Sequence, residues 1–327
     1  MNIISKLGIA AVLPAALFLN ITYVNKLPAK VVNSLNMQDS SYSKTDLFDQ
    51  NTQPKLISKQ FEFTEGPAAD KEGNVFFTDQ PNNAIWKYGL DSKLSLFSNT
   101  AGRSNGMYFD KQGNLFTCAD EQNEIWKFDQ SGKRTAIILS GVNGRKFNGP
   151  NDLWMDGKGG IYFTDPYYQR SYWTRTQTEL DGEKVYYLPA GKKEAMLASS
   201  ELQKPNGIAG TADGKYLYVA DIKANKTYRF TITKDGLLTD KQLFTDKGSD
   251  GMTLDDKGNV YLTGNKGVYI FNADGQQIGL IAIPEPWTAN ICFGGKNRDM
   301  LFITASKAIY TMQMKVRGYS KNASRQL

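Results

Sequence analysis

A polar side chain returns along this sequence in a register that few folds can accommodate. Glu65, Asn105, Asn151, Asn206 and Asp250 each stand eight positions before a glycine, at Gly73, Gly113, Gly159, Gly214 and Gly258, and Asn290 stands eight before Arg298 in a degenerate last copy. Behind each turn runs a short stretch rich in β-branched and aromatic residues, as in Val75-Phe76-Phe77-Thr78-Asp79, Ile161-Tyr162-Phe163-Thr164-Asp165 and Met300-Leu301-Phe302-Ile303-Thr304. Turns of the Asp-Lys-x-Gly-Asn type ahead of such runs predict hairpins. A further strand follows in every copy, written Ile85-Trp86-Lys87-Tyr88, Ile125-Trp126-Lys127-Phe128, Val185-Tyr186-Tyr187, Thr227-Tyr228-Arg229-Phe230, Val268-Tyr269-Ile270-Phe271 and Ile309-Tyr310.

Successive polar residues lie 40, 46, 55, 44 and 40 positions apart. That is the length of a four-stranded propeller blade and exceeds a leucine-rich repeat. No helical periodicity fills the intervals, which argues against alternating β/α architecture. The expected fold is therefore all-β, a six-bladed β-propeller. A paired β-sandwich would use as many strands, yet would give no reason for one polar residue to recur per unit.

If the first strand of each blade lines the central channel, the six polar side chains converge on one axis. Asn-Gly and Asp-Gly pairs at Asn105, Asn206 and Asp250 also make turns on their own account. Glu65 has no such turn preference, so a ring of oxygens explains the whole set better. Oxygen donors without imidazole or thiolate suit a hard cation such as Ca2+, or another divalent ion. Glu65 and Asp250 together would neutralise it, and without it the two carboxylates would repel and shift toward protonation.

Histidine is absent from the 327 residues. Ser-His-Asp hydrolases, Cys-His proteases and His-ligated zinc or di-iron sites are thereby excluded. Cys118 and Cys292 fall at different offsets within their repeats and read as small buried hydrophobes rather than a disulfide. The net charge of +6 comes from scattered lysines, without the basic, aromatic-interleaved patch of a nucleic-acid binder.

No charged residue occurs from Leu7 to Val24, with Lys6 before and Lys26 and Lys30 after. This reads as an export signal or a single membrane anchor over residues 1–26. No clear A-x-A cleavage site follows, so the expectation is an exported protein, periplasmic or extracellular, kept at the membrane by this segment alone. Residues 27–54, rich in Ser, Asn, Gln, Asp and Thr, are expected to form a flexible linker. The propeller is assigned to 55–318 and a tail to 319–327.

Several motifs resemble one family. Glu65-Gly66-Pro67, Asn148-Gly149-Pro150-Asn151-Asp152, Pro205-Asn206-Gly207, Asp250-Gly251-Met252, Tyr162-Phe163-Thr164-Asp165-Pro166 and Cys292-Phe293-Gly294-Gly295-Lys296 are similar to the gluconolactonase/regucalcin family of six-bladed propellers. The likeness runs from about Phe61 to Ala305 and extends to diisopropylfluorophosphatase and, more distantly, to paraoxonase and strictosidine synthase. It implies a catalytic divalent metal, usually Ca2+, held by Glu65, Asn151, Asn206 and Asp250. Two departures stand out. Many gluconolactonases carry His near the position of Ala119 or Asp120, and regucalcin-type enzymes carry Arg where this chain has Gly149. Sugar-lactone contacts therefore do not carry over.

On this footing the expected activity is metal-assisted opening of a lactone, with Asp250 as general base or nucleophile and Glu65 as a ligand. The alternatives are an aryl-ester or phosphotriester hydrolase on the same site, or a non-catalytic propeller with a structural Ca2+. Asn105 and Asn290 complete the ring as candidate substrate contacts. The longest interval holds Tyr167, Tyr168, Arg170, Tyr172, Trp173 and Arg175, either a lid over one mouth or an aromatic loop packed on a blade edge. Tyr167 from this stretch and Arg103, two residues before Asn105, are the other candidate substrate contacts.

Overall fold

The computed structural model describes residues 46–319. The apolar segment read as an export signal or anchor lies outside them, as does most of the assigned linker. All 24 named elements are strands, arranged as six four-stranded antiparallel sheets. Blade 1 runs from the inner strand Thr64–Ala69 outward to Leu94–Ser98, and the other inner strands are Ser104–Phe109, Leu153–Met155, Pro205–Gly210, Met252–Leu254 and Thr288–Gly294. Each inner strand contacts the inner strands of the blades before and after it, and the sixth returns to the first. The ring is closed.

The repeat register has a plain structural cause. At all six turns the eighth residue donates its N–H three residues back, from Gly73 to Asp70, Gly113 to Asp110, Gly159 to Asp156, Gly214 to Thr211, Gly258 to Asp255 and Arg298 to Gly295. The conformation needs positive φ, which glycine reaches without steric cost. Arg298 adopts it as well, with φ of 61° against 102° at Gly73. The sixth copy is thus degenerate in residue type and intact in backbone. Asp70, Asp110, Asp156 and Asp255 brace their turns through carboxylate acceptance from the following N–H groups, as Asx turns do.

Burial changes from axis to rim. Second strands such as Val75–Asp79, Leu115–Ala119 and Ile161–Asp165 are buried at every position, because both faces of a blade pack against neighbouring blades. Period-two alternation therefore gives way to continuous apolar runs. The rim strands Leu94–Ser98 and Arg134–Leu139 are half exposed. Among the described residues the core divides into six clusters, one per interface between adjacent blades. At the interface of blades 6 and 1, Phe77 packs edge-on to Phe61 at 5.1 Å and against Phe302 at 5.5 Å. Truncating so buried a ring would cost about 3–5 kcal/mol.

Closure uses a strand from the opposite end of the chain. Lys55–Ser58 is the outermost strand of blade 6, pairing Leu56 with Tyr310. Just upstream, Leu47 and Phe48 are buried in the cluster between blades 5 and 6, and the Lys315 N–H donates to the Leu47 carbonyl at 2.8 Å. The packed domain therefore begins before Lys55, and the assignment of all of 27–54 to a flexible linker is corrected at its last residues. Polar composition hid two apolar side chains with a place to dock. Cys118 and Cys292 are both free thiols.

Candidate active site at the axis of the propeller

The six polar residues occupy equivalent places at one mouth of the channel, and backbone contacts link them around it. The Gly106 N–H donates to the Asn151 carbonyl at 2.7 Å. A Cβ at Gly66 would lie 2.0 Å from the Asn105 carbonyl oxygen, and one at Gly251 would lie 2.1 Å from Asn290 Oδ1. Glycine after the ring residue is what lets neighbouring strands approach so closely.

A second column of residues holds the ring from behind. Thr78, Thr164, Thr263 and Thr304, all fully buried, sit on the second strands opposite the ring residues. The Thr304 hydroxyl accepts from the Asn290 N–H and donates to the Asn290 carbonyl, at 3.0 and 3.1 Å. Thr263 does the same for Gly251, at 2.9 and 3.1 Å. Three aspartates at the ends of second strands fix the approach to the ring, with Asp79, Asp165 and Asp221 each accepting two backbone N–H bonds from the loop before their inner strand.

Glu65, Asn105, Asn151, Asn206 and Asn290 are no more than 5% exposed, whereas Asp250 is half-buried. Asp250 is thus the ring member most open to the mouth. Burial and then the charge of Asp250 push the Glu65 carboxyl well above its ordinary range, and burial raises Asp250 likewise. The two carboxyls are near enough to feel each other's charge, and without a cation between them they repel. Asp250 receives the Trp287 indole N–H at 2.6 Å.

A third carboxylate joins them. Asp152 follows Asn151 where four other blades place Gly66, Gly106, Gly207 and Gly251. It is buried and accepts from the Leu153 N–H at 2.9 Å, and burial pushes its carboxyl up to about 7. The motif containing it was visible in sequence, but its role was not. The signal available was a carboxylate breaking a glycine column.

Two ring oxygens, Asn105 Oδ1 and Asn206 Oδ1, are buried with no hydrogen-bond partner. Leaving such a group unsatisfied costs about 1–3 kcal/mol. Among the described residues no three His, Cys, Asp or Glu side chains form a metal cluster, so a cation at the axis would draw on amides as well as carboxylates. Unsatisfied amide oxygens beside mutually repelling carboxylates are a donor set that fits a hard divalent ion.

The two remaining predicted contacts are placed elsewhere. Arg103, at φ of 47°, pairs with Glu121 at 3.2 Å, donates to the Pro81 carbonyl and stacks 4.5 Å over the Tyr172 ring. Its guanidinium is occupied by the protein, so it does not present a free fork to substrate. Tyr167 donates to Gln169 and packs on Trp173 at 5.5 Å. It is the next residue, Tyr168, that reaches the ring, where its oxygen accepts from Asn206 Nδ2 at 2.9 Å. The stretch carrying both leans from blade 3 toward blade 2, where Tyr172 donates to Asp120 at 2.6 Å and Arg170 lies 3.6 Å from the same carboxylate. Trp173 fills the space beside Gly149.

Comparison with known proteins identifies the family. The family model described as SMP-30/Gluconolactonase/LRE-like region matches residues 49–307. A gluconolactonase from Zymomonas mobilis is 30% identical over 321 residues, covering 86% of this chain and 89% of that protein. The lactonase drp35 of Staphylococcus haemolyticus is 28% identical, covering 74% and 76%. Among solved structures, the Xanthomonas campestris gluconolactonase superposes with a TM-score of 0.76 at 25% identity, over 81% of this chain and 90% of its own. The Agrobacterium tumefaciens regucalcin, at 17% identity and a TM-score of 0.69 over 82% and 96%, shares the fold. The chain belongs to the SMP-30/gluconolactonase/LRE-like family.

Proposed function

We propose that this protein is a divalent-metal-dependent hydrolase that opens a lactone, with Ca2+ as the preferred ion. The observation that carries this reading is the pairing of orphaned amide oxygens on Asn105 and Asn206 with crowded carboxyls on Glu65 and Asp250, on a chain whose gluconolactonase relative spans nearly its full length. Glu65, Asn151, Asn206 and Asp250 would hold the cation, which when bound polarises an ester carbonyl. Asp250 takes a proton from the attacking water as its oxygen adds to the carbonyl carbon, or attacks that carbon itself. Collapse breaks the ring C–O bond. On the base route the leaving oxygen takes the proton held by Asp250 and the hydroxy acid results. On the nucleophilic route the leaving oxygen takes a proton from water, and a further water hydrolyses the acyl-Asp250 anhydride to the same hydroxy acid. The buried amides of Asn105 and Asn290 orient the substrate or a neighbouring water. We also propose that the apolar N-terminal stretch exports the protein, which fractionation of cells expressing the full chain would test.

The experiment is proton release from a panel of sugar, aliphatic and aromatic lactones, with Ca2+ and then with excess EGTA. Turnover that requires Ca2+ and is lost in Asp250→Ala supports the reading. Ca2+ binding that stabilises the fold, with no lactone, aryl ester or phosphotriester turned over, would replace it with a structural ion in a non-catalytic propeller.

A further inference from the structure

We infer that Trp287 and Tyr168, which belong to no part of the repeat, are positioning residues that select which carboxylate oxygen of Asp250 and which end of the Asn206 amide faces the axis, and that the Trp287 face is the surface on which the substrate ring rests. This rests on the metal-dependent reading above. Each side chain engages its ring residue on one atom only. Trp287 Nε1–H occupies Asp250 Oδ2 at 2.6 Å, so Oδ1 is the oxygen left for the axis. The Tyr168 oxygen accepts from Asn206 Nδ2 at 2.9 Å, and Asn206 Oδ1 is the atom left buried without a partner. An amide could otherwise turn its NH2 inward, where it would repel a cation.

Both aromatics are themselves held. The Trp287 N–H donates to Ser306 Oγ and the Ser306 hydroxyl donates to the Trp287 carbonyl, each at 3.2 Å. The Tyr168 ring is contacted by Lys204 Nζ at 4.4 Å and Arg170 Cζ at 5.3 Å from its centroid. Outer groups fixed in this way orient ligands rather than follow them. Yet the Trp287 side of the mouth is open, with 37% of the residue exposed beside the half-buried Asp250. A large aromatic anchored through its backbone and its indole N–H and left exposed next to reactive groups offers the apolar face of a small cyclic ester a flat surface.

The test compares wild type with Trp287→Phe, Trp287→Ala and Tyr168→Phe by Ca2+ titration calorimetry, indole fluorescence and lactone kinetics. Trp287→Phe, which keeps a ring and removes the N–H, is expected to weaken Ca2+ binding about tenfold and lower kcat with KM little changed. Trp287→Ala should in addition raise KM. Tyr168→Phe should weaken Ca2+ binding by a similar factor. Addition of Ca2+ should change the indole emission of wild type and of Tyr168→Phe, but not of Trp287→Phe. Ca2+ affinity and kcat within twofold of wild type in both Phe variants would overturn the inference while leaving the metal-dependent reading intact. A wild type that binds no Ca2+ would overturn that reading and this one with it. Because Trp287 lies outside the core clusters, circular dichroism should confirm an unchanged fold in its variants.

Discussion

The ring at the axis and the stretch that leans over it from blade 3 are built on opposite principles. Every ring residue is set by a repeated frame, with the same turn eight positions on, a glycine beside it in four blades and a threonine behind it in four. The stretch from Pro166 to Glu183 has no equivalent in another blade and contains no strand. It is anchored by single side-chain contacts, Tyr172 and Arg170 to Asp120, Tyr168 to Asn206, and Lys204 to the Tyr167 carbonyl. Where Asp79, Asp165 and Asp221 accept backbone N–H bonds in their own blades, blade 2 has Ala119 at the register of Asp79, and the next residue, Asp120, accepts from the leaning stretch. The contrast separates a rigid donor set from a cover that can vary without disturbing it.

Substitutions in the two regions should therefore fail differently. Asp250→Ala is expected to lower kcat/KM for a lactone about a thousandfold with little change in thermal stability, the scale of losing one acid–base group. An equal loss from Tyr172→Phe would erase the distinction between ring and cover. Gly66→Ala attacks the frame itself. Its φ is +39° and the new Cβ would lie 2.0 Å from the Asn105 carbonyl oxygen, so denaturant titration should show a loss of about 3 kcal/mol or more.

The anchor on blade 2 should respond to pH. Burial raises the Asp120 carboxyl from 3.8 to about 6, against the opposing pull of Arg170 and Tyr172. An acid whose folded value is raised contributes stability that is complete below its unfolded value and is lost as pH rises through the folded one. Stability should thus fall between about pH 4 and pH 6 by roughly 3 kcal/mol from this group. Asp120→Asn should flatten that slope in thermal melts; an unchanged slope would remove Asp120 as its source. Smallest of all, Tyr172→Phe should cost about 1 kcal/mol and shift relative kcat/KM across a lactone panel a few-fold while leaving Ca2+ affinity unchanged.

What was legible in the sequence follows the same division. Six turns and six polar residues could be read because a repeat writes the same solution several times, and even Arg298 kept the backbone its copy required. Asp152 was not read as a site residue, since a single departure from glycine carries no periodicity. The closing strand Lys55–Ser58 and the docking of Leu47 and Phe48 depend on contacts with residues some 260 positions away, which local composition does not record. Arg103 and Tyr167 are engaged by protein groups rather than by the ring. Their partners, Glu121, Pro81 and Gln169, are side-chain and loop contacts that no spacing encodes. Tyr168 rather than Tyr167 faces the ring because of the local path of the chain after Pro166.

The most direct test of the central claim is a crystal of the protein soaked in Ca2+, or in a lanthanide that scatters anomalously, read for one peak on the propeller axis. The account predicts an ion about 2.3–2.6 Å from oxygens of Glu65, Asn151, Asn206 and Asp250, with Asp250 Oδ2 still bonded to Trp287. An empty axis at saturating cation, or an ion bound away from these four residues, would contradict it.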